Sequence, residues 1–209
     1  MSFTKVKALG GDVARKVVVI VSGETDRRSV PHLCRHFAEQ AEVFEVRKPP
    51  GNAALTPDQA AKVIKAAWYE LHGRGRPPDK FVVLVDADRH DPLQAAKPFE
   101  ARVAHLADIA VPRLVAMAVR HLEAWFFGDS EGLREFLGRD LGSIDPSRPD
   151  EIDNPKLHLT HLLKSRSRVY TARIAEQIAG RLDPAVIQGR SGSFARFVQA
   201  LENGSAAQA

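Results

Sequence analysis

The chain has 209 residues, of which 44% are hydrophobic and 27% are charged, as expected for one globular core with an appendage. Cys34 is its only cysteine, so an internal disulfide and a cysteine-rich zinc site are excluded, and a reducing cytoplasm is the expected location. No apolar stretch approaches the roughly 18 residues of a membrane helix, so no membrane association is expected.

In the first half of the chain, strand patterns alternate with helix patterns. Strands are predicted over Lys16–Ser22, Glu42–Val46, Phe81–Val85 and Arg113–Val119. Helices are predicted from Glu24 onward, from Thr56 to His72 and from Pro98 to Ala107. Strands joined by connections that are long enough for crossover helices predict a mostly parallel, four-stranded sheet flanked by helices, which is an α/β, Rossmann-like fold.

The second half has a different composition. Residues 123–153 hold nine acidic and three basic residues among glycines and prolines, which indicates broken helix and loop. Three helices are predicted after it, over Leu157–Lys164, Thr171–Leu182 and Ser193–Leu201. We therefore divide the chain into an α/β core, residues 1–127, and a helical C-terminal part, residues 128–209, packed on the core. The two can also form one compact domain.

Charge is unevenly distributed along the chain. The formal net charge is +4, yet residues 154–200 alone hold eight basic and two acidic residues. Such a concentration favours a surface that faces a polyanion such as nucleic acid. A solvated basic helix face is the alternative. The basic residues predicted to contact nucleic acid are Arg74, Arg76, Lys156, Lys164, Arg166 and Arg168.

The segment Phe81–Asp91 is the most informative stretch. Its unbroken apolar run is typical of a central strand that is buried on both faces. Asp86 and Asp88 follow it, and two residues that are two apart on an extended chain point the same way, so both can present oxygens to Mg²⁺ or Mn²⁺. The alternative is that Asp86 caps the next helix and Asp88 is a solvated loop residue.

Parallel topology would bring several acidic loops to one edge. The loops after the first, third and fourth strands all emerge at the carboxyl ends of the strands, where α/β sheets bind ligands. The acidic residues in these loops are Glu24, Asp26, Asp86, Asp88 and Glu123. Glu123 lies among apolar residues, and its burial would be costly unless it faced a cation. An exposed position on an amphipathic helix is the alternative.

These features resemble those of toprim domains, which occur in topoisomerases, bacterial primases and OLD-type nucleases. More closely, the chain resembles a bacterial toprim-like family that is catalogued as a domain of unknown function and is related to the OLD-type nucleases. The residues that carry this resemblance are Val21–Asp26, Val85–Asp88, His121–Trp125, Asn154–Lys156, Tyr170, Ser193, Phe194 and Phe197.

The resemblance implies phosphodiester chemistry that depends on Mg²⁺ or Mn²⁺. It implies that Asp26, Asp86, Asp88 and Glu123 bind the metal, and that these four and Glu24 are catalytic. One position departs from the pattern, because toprim domains usually carry Glu directly before the glycine of the first turn and this chain has Ser22. A hydroxyl cannot replace a carboxylate in proton transfer at neutral pH. Either Glu24 or Asp26 substitutes, or the site binds without cutting.

Three functions are therefore compatible with the sequence. The first is a metal-dependent nuclease, for which the OLD-type resemblance makes bacterial defence a conceivable setting. The second is a catalytically inactive module that binds nucleic acid or a partner protein, as Ser22 suggests. The third is a glycosyltransferase, because an apolar strand followed by Asp-x-Asp also holds the metal of nucleotide-sugar enzymes. The acidic first turn and the short chain count against the third.

Overall fold

The computed structural model describes residues 16–51, 53–142 and 144–202. The strands are β1 (Lys16–Ile20), β2 (Val43–Arg47), β3 (Lys80–Asp86) and β4 (Arg113–Ala118). The helices of the first half are α1 (Glu24–Leu33), α2 (Arg35–Gln40), α3 (Pro57–Gly73), α4 (Pro92–Ala104) and α5 (Glu123–Gly128). Those of the second half are α6 (Ser130–Leu137), α7 (Pro155–Lys164), α8 (Ala172–Ala179), α9 (Pro184–Arg190) and α10 (Gly192–Glu202), with a short 3-10 helix at Pro149–Glu151.

The four strands form one parallel sheet in the order β2-β1-β3-β4, so the predicted parallel α/β fold is confirmed. From β1 the chain first adds β2 on one side and then crosses over to place β3 on the other side. The order therefore reverses between β1 and β3. In open α/β sheets, a crevice for ligands forms at this switch point, beyond the carboxyl ends of the strands.

Both faces of the sheet are covered, which explains the unbroken apolar run of the central strands. Val19 and Val82 belong to the core on one face, together with residues of α1 and the C-terminal helices. Val18 and Val83 belong to the core on the other face, where α3 and α4 pack. Successive residues of a strand point to opposite faces, so β1 and β3 contribute to both cores.

An aromatic cluster packs helix α10 against helix α5. The fully buried Trp125 ring lies 5.0 Å from the ring centroid of Phe194 and 5.6 Å from that of Phe197. Its Nε1 donates to the Ser193 hydroxyl at 2.8 Å. Several of the residues that carry the family resemblance therefore connect α5, which begins at Glu123, to α10.

Lys80, at the start of β3, forms hydrogen bonds to the C-terminal end of α10. Its Nζ donates to the carbonyl oxygens of Ala200 at 3.1 Å and Leu201 at 2.6 Å, and burial lowers the pKa of this amine to about 8. Residues from the sheet to α10 thus share one continuous core. The division of the chain at residue 127 stays a prediction.

Two helices differ from those predicted. Helix α4 begins at Pro92 rather than Pro98, because Asp91 caps it by accepting a hydrogen bond from the Gln94 N–H at 2.9 Å. Helix α9 was not predicted, since its seven residues are too few for a clear helical period. Helix α3 is capped by Thr56, as predicted. None of the helices found within the described ranges is long and apolar enough to cross a membrane.

Candidate functional site

Asp26 lies at the carboxyl end of β1, in the first turn of α1. Its side chain turns back to accept a hydrogen bond from the Gly23 N–H at 3.0 Å, which leaves the residue only 9% exposed. Burial, followed by repulsion from Glu123, raises the pKa of Asp26 to about 6. The carboxylate therefore lies in a site that disfavours its negative charge.

Asp86 ends the neighbouring strand β3. Its Oδ1 accepts a hydrogen bond from the Leu122 N–H at 3.0 Å, which ties the end of β3 to the loop before α5. Burial, then repulsion from Asp26 and Glu123, holds the pKa of Asp86 well above its usual range. The alternative that Asp86 caps α4 is wrong, since Asp91 does so.

Glu123 begins α5, after β4. It is 3% exposed, so it is not a surface residue of an amphipathic helix. Its Oε1 accepts a hydrogen bond from the Tyr170 hydroxyl at 2.8 Å and lies 4.0 Å from Lys156 Nζ. Burial and the negative charge of Glu123 raise the pKa of Tyr170, so that hydroxyl stays protonated. The structure thus gathers Asp26, Asp86 and Glu123 beyond the ends of three strands, with one lysine beside them.

Asp88 lies outside this group. The expectation that it points the same way as Asp86 is not met, because the chain leaves the extended conformation and Asp88 has φ 50°. Its side chain is 63% exposed and lies 3.0 Å from Nε2 of His121. The Asp88 charge is still close enough to contribute to the raised pKa of Asp86.

Glu24 is held away from the buried carboxylates by two arginines. Arg27 donates to it at 2.6 and 2.8 Å and Arg28 at 2.7 Å, and these hydrogen bonds lower the pKa of Glu24 to about 2. A carboxylate that acidic is a poor proton acceptor at neutral pH. Of the two expected substitutes for the missing first-turn glutamate, only Asp26 lies with Asp86 and Glu123.

The basic residues predicted to contact nucleic acid fall in three places. Lys156 lies beside Glu123. Arg74 and Arg76 lie between the end of α3 and the start of β3, which is the amino edge of the sheet, opposite to the carboxylates. Arg74 pairs with Glu70 there at 2.8 Å.

The remaining three, Lys164, Arg166 and Arg168, are exposed at the far end of α7. At 1.5 Å per residue, Lys164 is roughly 12 Å along this helix from Lys156. Arg166 donates to the Gly138 carbonyl oxygen, and the Arg168 guanidinium lies 5.3 Å from the Phe136 ring centroid. They form a basic surface near α6 and are not among the carboxylates.

Tyr170 is a site residue to which the sequence assigned no role. It is 47 positions from its partner Glu123, so no local spacing reveals the contact. Throughout the part of the chain that the structure describes, no three His, Cys, Asp or Glu side chains are close enough as they stand to hold a metal ion.

Residues 21–202 match the model of the family described as "Domain of unknown function (DUF4276)". The chain belongs to this family. No curated protein matches its sequence. The matched range includes Asp26, Asp86 and Glu123. It also includes Lys156 and Tyr170, whose polar side chains lie next to Glu123.

The solved structures to which this DUF4276 chain is similar include regions of two OLD proteins. One is the C-terminal region of the Burkholderia pseudomallei OLD protein, with 18% identity, a TM-score of 0.52 and coverage of 90% of this chain and 96% of that one. The other is the C-terminal region of the Xanthomonas campestris pv. campestris OLD protein, with 16% identity, a TM-score of 0.46 and coverage of 91% and 97%. The predicted membership of a family of unknown function is confirmed by the family match, and the likeness to the Burkholderia structure supports the α/β fold.

Proposed function

We propose that this protein hydrolyses phosphodiester bonds of nucleic acid with the help of Mg²⁺ or Mn²⁺ held by Asp26, Asp86 and Glu123. One observation carries the proposal: three buried carboxylates from three strand ends repel one another at the switch point of a parallel sheet. Such a group is stabilised by protons or by a cation. An all-oxygen ligand set is the one that Mg²⁺ prefers.

The residues present suit such an ion in chemistry, although they form no closed group as they stand. Leu122 holds Oδ1 of Asp86, and no donor among the described residues bonds to its Oδ2. Asp26, Asp86 and Glu123 would hold the ion, with Asp88 as an outer carboxylate. A bound divalent ion polarises a phosphate and lowers the pKa of water.

The other residues supply positioning and charge. Tyr170 donates to Glu123 and thereby orients its carboxylate. Lys156 has a side chain that is half exposed beside Glu123, where its ammonium can contact a phosphate oxygen. Lys164, Arg166 and Arg168 add positive charge at the end of α7 and just beyond it, and contacts of this kind bind a nucleic-acid backbone irrespective of its sequence. A role in bacterial defence rests on the OLD-type resemblance alone.

Asp86→Asn is expected to lower metal-dependent cleavage by about 10³-fold, because a metal supplies several kcal/mol of transition-state stabilisation. The test incubates single- and double-stranded DNA and RNA with Mn²⁺ or Mg²⁺ and follows their cleavage. Asp140→Asn is the matched control, since that carboxylate is 95% exposed. Cleavage by Asp86→Asn at the wild-type rate would contradict the proposal, as would a wild-type protein that cuts no substrate.

A catalytically inactive binding module is the second candidate, because Ser22 stands where toprim domains usually carry Glu. In that case the wild-type protein binds nucleic acid without cutting it, and Ser22→Glu gains metal-dependent cleavage. Ser22→Gln adds similar bulk without charge and is expected to gain none. Wild-type cleavage that Ser22→Glu leaves unchanged would exclude this candidate.

A further inference from the structure

A cleft of about 790 Å³ opens beside the carboxylates, between the loops after β3 and β4 and the turn before α7. We call it the arginine cleft. Its lining includes Asp88, Arg89, Arg120, His121, Asp153 and Asn154. Asp88 belongs to the cleft and also lines a neighbouring pocket together with Asp86. His121 of the cleft precedes Leu122, whose N–H donates to Oδ1 of Asp86. The arginine cleft is therefore an extension of the candidate metal site.

The walls of the arginine cleft have an unusual backbone. Asp88, Arg120 and Asn154 have φ of 50°, 64° and 49°, and they are three of the four non-glycine residues with positive φ in the described ranges. This conformation is unfavourable for an L-residue and persists only where the surroundings enforce it. Here the Asp88 N–H donates to the Arg120 carbonyl at 2.9 Å, which joins the two loops.

The Arg120 side chain is held in place by contacts that are individually weak. Its guanidinium donates to the Asp88 carbonyl at 3.4 Å and pairs with the Asp153 carboxylate at 3.0 Å. Asp153 is 75% exposed, and exposed ion pairs contribute little. A phosphate is a stronger, bidentate partner for a guanidinium. The Asp153 carboxylate thus occupies a place beside Arg120 that a phosphate oxygen can take.

Arg89 adds a second positive charge to the same cleft. It is exposed, and within the described part of the chain it makes neither an ion pair nor a side-chain hydrogen bond. The second acid of the cleft, Asp88, is engaged by His121. The two arginines are therefore available to an incoming anion, and the exposed His90 also lines the cleft.

We infer that the arginine cleft binds a backbone phosphate of the nucleic acid, adjacent to the one at the carboxylates, through Arg120 and Arg89, with Asp153 as the counter-ion that the phosphate displaces. This inference rests on the proposed function and deepens it, because it gives the path of the strand beyond the metal site. Neither arginine was among the residues that the sequence predicted to contact nucleic acid.

The test measures binding of a fluorescein-labelled single-stranded oligonucleotide by anisotropy, in EDTA and at several KCl concentrations. With Arg89→Gln/Arg120→Gln, the slope of log affinity against log salt is expected to flatten by about 1.4, which is two contacts at about 0.7 each for single strands. Lys62→Gln/Arg102→Gln removes the same charge from exposed positions on α3 and α4 and is the matched control. It is expected to keep the wild-type slope.

Asp153→Asn is expected to change the binding affinity in the opposite direction to the arginine variants. It frees Arg120 and removes a negative charge from the cleft, so binding is expected to tighten about two- to fivefold, on the scale of one exposed ion pair. A purely structural role for the Arg120–Asp153 pair would instead weaken binding in both variants. If Arg120→Gln fails to fold by circular dichroism, then Arg89→Gln, with an expected loss of about 0.7 in slope, and Asp153→Asn carry the test.

The inference is overturned if the double variant keeps the wild-type slope, if Asp153→Asn weakens binding, or if the wild-type protein binds no oligonucleotide. Because EDTA removes the metal, these results do not depend on catalysis. Binding that requires Arg89 and Arg120, in a protein that cuts nothing with Mn²⁺, would support the inference and overturn the proposed hydrolysis. Cleavage with binding that ignores both arginines would do the reverse.

Discussion

Trp125→Ala is expected to lower the free energy of unfolding by about 3–5 kcal/mol, the range for truncating a buried large aromatic side chain. Trp125 is fully buried, its ring stacks on Phe197 at an interplanar angle of 19°, and it meets the edge of Phe194. Alanine would leave a cavity between α5 and α10. It would also leave the Ser193 hydroxyl without the Trp125 N–H that donates to it.

Trp125→Phe separates the contribution of packing from that of the hydrogen bond to Ser193, since it keeps a packed ring and loses the indole N–H. The expected cost is about 1–2 kcal/mol, the net worth of a buried hydrogen bond together with a partial loss of volume. Urea unfolding followed by far-ultraviolet circular dichroism measures both variants, and Trp68, the other of the two tryptophans, remains as a fluorescence probe. Equal costs for Ala and Phe would show that packing is not the dominant contribution.

Asp26→Asn is expected to stabilise the metal-free protein at pH 8 by about 1–3 kcal/mol. Burial and Glu123 raise the pKa of Asp26 from 3.8 to about 6, so the folded state binds this proton more tightly than the unfolded state. The stability that results is complete below pH 3.8 and is lost as the pH rises through about 6. Asparagine removes the charge and keeps an acceptor for the Gly23 N–H.

The gain from Asp26→Asn should therefore disappear by about pH 4, where the wild-type carboxyl is already protonated. Four ionisable groups face Asp26, namely Asp86, Glu123, Lys156 and Tyr170; the lost attraction to Lys156 offsets part of the gain. Urea unfolding in EDTA at pH 4, 6 and 8 measures the difference. A variant less stable than the wild type at pH 8 would contradict the burial of an ionised Asp26.

Saturating Mg²⁺ provides the complementary measurement at pH 8. If Asp26 helps to hold the ion, Mg²⁺ should raise the wild-type melting temperature, because a ligand that binds only the folded state stabilises it. The rise should be smaller in Asp26→Asn, whose amide is a poorer ligand, and unchanged in the exposed control Asp140→Asn. An equal rise in all three proteins would place the ion away from Asp26.

Local sequence patterns were sufficient to predict the parallel α/β architecture. They also predicted that the acidic residues lie at the carboxyl edge of the sheet. The apolar run before Asp86 indicates a strand that is buried on both faces, and Thr56 marks the start of α3, because these features depend on residues that are adjacent in the chain. Alternation of strands with helices then requires parallel strands, and parallel strands place their carboxyl ends on one edge. Asp26, Asp86 and Glu123 could accordingly be assigned to that edge from sequence order.

Only the tertiary structure decided which acids are buried together and what they contact. Asp88 leaves the extended conformation at φ 50°, which no hydrophobic period encodes. The pairing of Glu24 with Arg27 and Arg28 is, by contrast, local, since the two arginines lie three and four positions after Glu24 on one helix. Tyr170 reaches Glu123 across 47 residues. Burial and the charges of carboxylates from distant segments raise the pKa values of Asp26, Asp86 and Tyr170, so the chemistry of these groups arises only when the chain has folded.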